Sequence, residues 1–153
     1  MLKVLITDDE MQVRLGLRMK INWEEEGFEI VGEASNGKEA IEWLRTEKIN
    51  LIITDMRMPI MDGLELAQYC YTEFPQVKLI VLSCYSDYEY IRGSMKEGVK
   101  DYLLKPVSPD ELEKTLRKIR KEIEKEKKKQ ADEAQMLHFV MTQFEVVQEQ
   151  YLL

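Results

Sequence analysis

Apolar runs in this chain repeatedly end in a residue able to do chemistry. Residues 2–6 are followed by Asp8 and Asp9, 51–54 by Asp55, 78–82 by Ser83, and 101–104 by Lys105 and Pro106. Carboxylates held together repel one another and retain protons unless a cation neutralises them, and hard oxygen ligands with room for water suit Mg²⁺. Lys105 adds a fixed positive charge and Ser83 a neutral donor, so phosphoryl oxygens could bridge metal and ammonium. Phosphoryl transfer depends on positioning and charge neutralisation more than on acid–base machinery, which makes a carboxylate nucleophile with a metal and a lysine chemically sufficient. Singly, each residue has an ordinary explanation, since a strand-end Asp is commonly a turn residue or a cap. Jointly they form a site only if the fold gathers them on one edge.

The elements needed for that are legible. Near-continuous aliphatic runs at 2–6, 28–31, 51–54, 78–82 and 101–104 read as five buried parallel strands. Between them, 12–21, 38–47, 64–73 and 87–97 carry apolar residues at three- and four-residue intervals and read as crossover helices. Asn36-Gly37 opens the second helix, Gly63 precedes the third, Ser86 or Asp87 caps the fourth and Gly98 ends it. A fifth helix should start with Ser108 as N-cap, Pro109 in its first position and Glu111 completing a capping box. Alternating β and α elements imply a parallel sheet covered on both faces, with ligands beyond the carboxyl ends of its strands. That edge is where the three aspartates, Ser83 and Lys105 converge.

Composition narrows the classes. A formal net charge of −7 repels phosphate backbones, so nucleic-acid binding by this chain unaided is not expected, whereas cations are favoured. No signal-peptide core or membrane-spanning run is present, and a cytoplasmic location without membrane contact is expected. Cys70 and Cys84 fit reduced thiols better than a disulfide or a metal site. His138, the single histidine, has no ligand set around it, and the lysines of 125–129 lie among glutamates as on a solvated helix face.

The matching pieces are Leu5-Ile6-Thr7-Asp8-Asp9-Glu10, Asp55-Met56-Arg57-Met58-Pro59-Ile60-Met61-Asp62-Gly63, Ser83 and Lys105-Pro106, and with them the chain from Met1 to about Arg120 resembles the receiver domain of two-component response regulators. The 23–28 segment adds a weaker resemblance to the N-terminal receivers of AraC-type, YesN-like transcriptional regulators. The resemblance implies a flavodoxin-like (βα)5 three-layer sandwich with a parallel five-stranded sheet in the order 2-1-3-4-5, plus a C-terminal helical extension. It implies a signalling switch rather than an enzyme, at most phosphorylating and dephosphorylating itself, with a sensor histidine kinase as partner. Asp55 would be the phosphoacceptor. Asp8, Asp9, Asp55 and the backbone carbonyl of Arg57 would hold Mg²⁺, Asp8 through water. Ser83 and Lys105 would bind phosphoryl oxygens, and Ser83 with Tyr102 would form the switch. Tyr102 also reads as an ordinary packing aromatic. The Lys105-Pro106 bond resembles one held cis in the family. Arg57 and Tyr85 occupy places that tune phosphoryl lifetime there, without giving a rate.

Two other readings remain at this point. An aspartate-nucleophile phosphatase on a related fold resembles a pattern with a second aspartate two residues after the first, where this chain has Arg57. A receiver working by protein contacts alone would not need the complete acidic set. A receiver over 1–122 is expected to continue into a helical linker or coiled coil over 123–153, leading towards an output domain outside this sequence that would carry any DNA binding. Leu116, Ile123, Gln130, Leu137, Phe144 and Tyr151 share one heptad position and Leu112, Ile119, Glu126, Glu133, Val140 and Val147 the other, with a polar middle. A homodimer is expected, through the C-terminal helix or through the face formed by the fourth helix, fifth strand and fifth helix; the alternative for the tail is a frayed or folded-back helix.

Overall fold

The computed structural model describes residues 1–84 and 99–151. Five strands, β1 (Leu2–Thr7), β2 (Phe28–Ala34), β3 (Leu51–Asp55), β4 (Lys78–Ser83) and β5 (Val99–Leu104), form one parallel sheet in the order β2-β1-β3-β4-β5. Helices α1 (Met11–Lys20), α2 (Gly37–Thr46), α3 (Gly63–Glu73) and α4 (Pro109–Tyr151) complete the described elements. The expected helix over 87–97, with its caps and Tyr85, lies outside the described residues, and α4 is the fifth helix of the sequence expectation. The flavodoxin-like topology is therefore present.

Alternation along the strands divides the core. Leu5, Ile52 and Val81 pack with Ile41, Leu44, Leu66 and Cys70 of α2 and α3. Val4, Ile6, Ile53, Ile80 and Leu82 point the other way and are equally buried. On that side Leu17 of α1 and Val107 line a cavity with Leu82, and Leu112, Leu116 and Ile119 of α4 are buried at helical spacing. The α1–β2 connection is tied to α4: the Arg117 guanidinium donates twice to the Glu26 carboxylate at 3.0 Å, and Arg120 Nη1 donates to the Glu26 carbonyl at 2.7 Å.

Two strands are longer than their apolar runs by more than one residue. β2 continues through Gly32, where the β1–β2 register shifts between Val4 and Leu5, and the Trp43 ring occupies the space a Cβ would need. β5 begins at Val99, with a second register shift between Leu79 and Ile80 of its neighbour. A glycine or a charged residue breaks the hydrophobic pattern at a bulge without ending the strand.

The chain divides into two compact units, Met1–Arg120 and Lys121–Leu153. Among the described residues, no helix is long and apolar enough to cross a membrane.

Candidate phosphoryl-acceptor site

Parallel pairing brings the ends of β1 and β3 side by side, with Thr7 opposite Thr54, and places Asp55 opposite Leu82 of β4. Each of Asp8, Asp9 and Asp55 therefore offers a carboxylate oxygen within 4.8 Å of the others. Lys105 reaches across from the end of β5: its ammonium lies 3.1 Å from Asp55 Oδ1 and 3.5 Å from Asp8 Oδ2. The Lys105 backbone N–H donates to the Ser83 carbonyl, and the Lys105–Pro106 peptide is cis.

The three carboxylates sit in different surroundings. Asp8 is buried, Asp55 partly so and Asp9 exposed. Burial raises the Asp8 carboxyl above its ordinary range; the backbone N–H of Glu10, 2.9 Å from Oδ1, opposes this, the Asp55 charge adds to it and Lys105 opposes it. Burial would pull the Lys105 ammonium down, but its hydrogen bond to Asp55 and the charges of Asp55 and Asp8 hold it above its ordinary value. Asp55 Oδ1 also accepts the Met56 backbone N–H at 2.9 Å. This donor set suits a small divalent cation: three hard oxygens lie together, and the burial and like charge that raise the Asp8 carboxyl are what a dication would offset.

Ser83, 1% exposed, ends β4 with a buried hydroxyl that has no hydrogen-bond partner among the described residues. Such a group calls for a partner, because a buried hydroxyl left without one costs free energy. Tyr102 is half-buried, two residues earlier on the neighbouring strand, and packs against the α2–α3 core with its hydroxyl oxygen inside. Arg57 is exposed in the β3–α3 loop, two residues past Asp55.

That loop is tightly defined. Asp62 caps α3 by accepting the Glu65 N–H at 2.8 Å, with the Glu65 carboxylate returning to the Asp62 N–H. A Cβ on Gly63 would collide with the Asp55 carbonyl oxygen, so the α3 start is pressed against the end of β3. Met61 O accepts the Gly37 N–H, linking the loop to the α2 start, where Asn36 caps through the Glu39 N–H. Ile60 holds φ at 70°, a conformation that a β-branched residue adopts only under constraint.

Sequence reasoning did not single out Arg14. Its guanidinium donates to the Asp8 carbonyl at 2.6 Å and to Glu33 on β2 at 2.8 Å, while Arg18 takes the other Glu33 oxygen. The available signal was position: Arg14 and Arg18 lie four residues apart on one face of the helix that follows Asp8 and Asp9.

Residues 4–117 match the response regulator receiver domain family. The transcriptional regulatory protein YesN of Bacillus subtilis is 40% identical over 126 residues, covering 82% of this chain and 34% of that protein. HptR of Staphylococcus aureus is 38% identical over 113 residues, 74% of this chain and 44% of the relative. The chain thus spans between a third and about half of the length of the curated relatives it matches. Among solved structures, the REC domain of AraT, a response regulator from Geobacillus stearothermophilus, superposes with a TM-score of 0.77 at 38% identity, covering 82% of this chain and 98% of that one. A two-component transcriptional regulator AraC from Clostridium phytofermentans gives 0.76 at 34%, covering 82% and 97%. The chain belongs to the response regulator receiver family, the signalling domain of two-component systems.

Proposed function

We propose that Asp55 is the phosphoacceptor and that its phosphorylation by a sensor histidine kinase is the input of the switch. The carrying observation is the Lys105 ammonium 3.1 Å from the Asp55 carboxylate inside a three-carboxylate cluster. An Asp55 oxygen attacks the phosphorus of a phosphohistidine, the P–O bond forms as the P–N bond breaks, and the imidazole leaves with the electron pair. Lys105 neutralises charge on the transferred group and Ser83 donates its hydroxyl to a phosphoryl oxygen. Asp8, Asp9, Asp55 and the backbone carbonyl of Arg57 would hold Mg²⁺, Asp8 through water; when bound, the ion supplies neutralisation of the phosphoryl oxygens. Movement of Ser83 towards that group would open space for Tyr102, and this pair is the switch.

In this reading the domain is not an enzyme acting on a separate substrate, beyond adding and removing its own phosphoryl group. Arg57, standing where a phosphatase of related fold would carry a second aspartate, supports that. The receiver covers 1–122, with 123–153 as a linker to a DNA-binding output domain, and the printed names of YesN and HptR as transcriptional regulators support that direction. The free, unpaired cysteines Cys70 and Cys84 agree with a cytoplasmic location. The active form is a homodimer, through the C-terminal helix or through the face of the 87–97 segment, β5 and α4. Phosphorylation with a small phosphodonor and Mg²⁺, read by intact mass on the parent and on Asp55→Asn, tests the acceptor assignment.

A further inference from the structure

Beyond Asp132 the helix α4 changes character. Met136, Leu137, Val140, Met141 and Phe144 are between 53% and 64% exposed. At 3.6 residues per turn they fall on one contiguous arc, with Glu145 at its edge beside Met141. Side chains of these sizes leave on the order of 500 Å² of apolar surface bare, the size of the largest patch on an ordinary monomer, which is often an interaction surface.

We infer that this arc takes a second copy of the same helix, parallel and in register, as a two-stranded coiled coil. The inference deepens the homodimer part of the proposed function by choosing between its two faces, and is independent of phosphorylation. Leu137 and Phe144 repeat at seven residues and Val140 lies between them, which is the spacing that lets a helix pack against its own copy. Met136 of each copy then lies beside Met141 of the other, widening the apolar seam. Two such arcs in contact would bury on the order of 1,000 Å², the lower bound for specific association.

The polar stretch selects the direction. Ile123 is already buried, so the seam begins at Glu126. Glu126, Lys127, Lys129, Gln130 and Glu133 are all exposed. In a parallel, in-register pair Glu126 and Glu133 each face their own copy, and the knob at Glu126 enters a hole that includes Lys127 of the other copy, which offsets the repulsion between the two Glu126 carboxylates. Gln130 meets Lys129 and Glu133 of its counterpart in the same way. An antiparallel overlap of the apolar arcs would leave this charged stretch without mates. The polar layers weaken the seam while fixing its register, so the dimer is reversible and concentration-dependent.

Sedimentation equilibrium of the full chain over a concentration series tests this, with circular dichroism confirming that each variant keeps its helix. The parent should pass from monomer to dimer, Val140→Glu should weaken the dimer by at least about tenfold, and Glu133→Leu should tighten it by about tenfold or more. In a Cys84→Ser background, Glu133→Cys and Val140→Cys should each form a disulfide between identical positions on oxidation, as only the parallel register allows for both. A parent monomeric at every concentration, a Glu133→Leu chain no tighter than the parent, or crosslinking at only one position would overturn the inference. Phosphodonor labelling read by mass on Val140→Glu should match the parent, which keeps this outcome separate from the acceptor assignment.

Discussion

Asp8 governs the electrostatics of the metal-free site. Its carboxyl holds a proton more tightly in the folded chain than in the unfolded one, first because it is buried and then because Asp55 is charged beside it. Such a group stabilises the fold while protonated, and that contribution is lost as pH rises from the ordinary value of 3.8 through the raised folded value. At neutral pH an ionised Asp8 is a standing cost that a dication offsets. Asp8→Asn is therefore expected to raise the metal-free melting temperature by a few degrees and to lose most of the rise that Mg²⁺ gives the parent. Calorimetry of both proteins with and without Mg²⁺ checks this, and equal rises would put cation binding elsewhere. Lys105 follows the same sign in a higher window: its contribution is complete below its ordinary 10.5, and so present at neutral pH, and disappears as pH climbs through the raised folded value. Lys105→Met should cost on the order of 1 kcal/mol at neutral pH without metal, by denaturant unfolding, because it leaves Asp8 and Asp55 facing each other. The acidic set and Lys105 were legible in the sequence because parallel strands must deliver their carboxyl ends to one edge. Arg14 was not, since a helical arginine directly before a leucine-glycine pair carries no mark of the carbonyl it will meet.

At the scale of elements, the β3–α3 loop connects the acceptor to the fold. Gly63 touches the Asp55 backbone and the capping box at Asp62 and Glu65 fixes where α3 starts. Gly63→Ala is expected to destabilise by about 2 kcal/mol, since the clash is with backbone and no side chain can yield. It should also lower phosphoryl acceptance by displacing Asp55; retained labelling at parental rate would show that α3 does not position the acceptor. Ile60→Gly should act the other way, stabilising by about 1 kcal/mol in denaturant unfolding by relieving the positive φ. Asn36 and Ser108 could be read as helix starts because a cap is a local chemical pattern, and each does accept the N–H three residues on. The extension of β2 past Gly32 could not, because the reason that glycine is tolerated is the Trp43 ring, eleven residues away in sequence and visible only once α2 is docked.

For the whole molecule, the acidic balance and the helical extension set the limits. A chain of net charge −7 has no electrostatic footing on duplex DNA. Fluorescence anisotropy with duplex DNA at physiological salt should show no binding by this chain, phosphorylated or not; saturable binding would mean that output does not need a further domain. The heptad spacing in the sequence indicated a long C-terminal helix, and α4 does run to Tyr151; what covers its apolar arc depends on a second molecule, which no single chain encodes locally. The proposed function turns on one event at Asp55. Incubating the native chain with a small phosphodonor and Mg²⁺ should add the mass of a single phosphoryl group, and the adduct should be absent from Asp55→Asn. An unmodified native chain, or an adduct that persists in Asp55→Asn, would contradict the account.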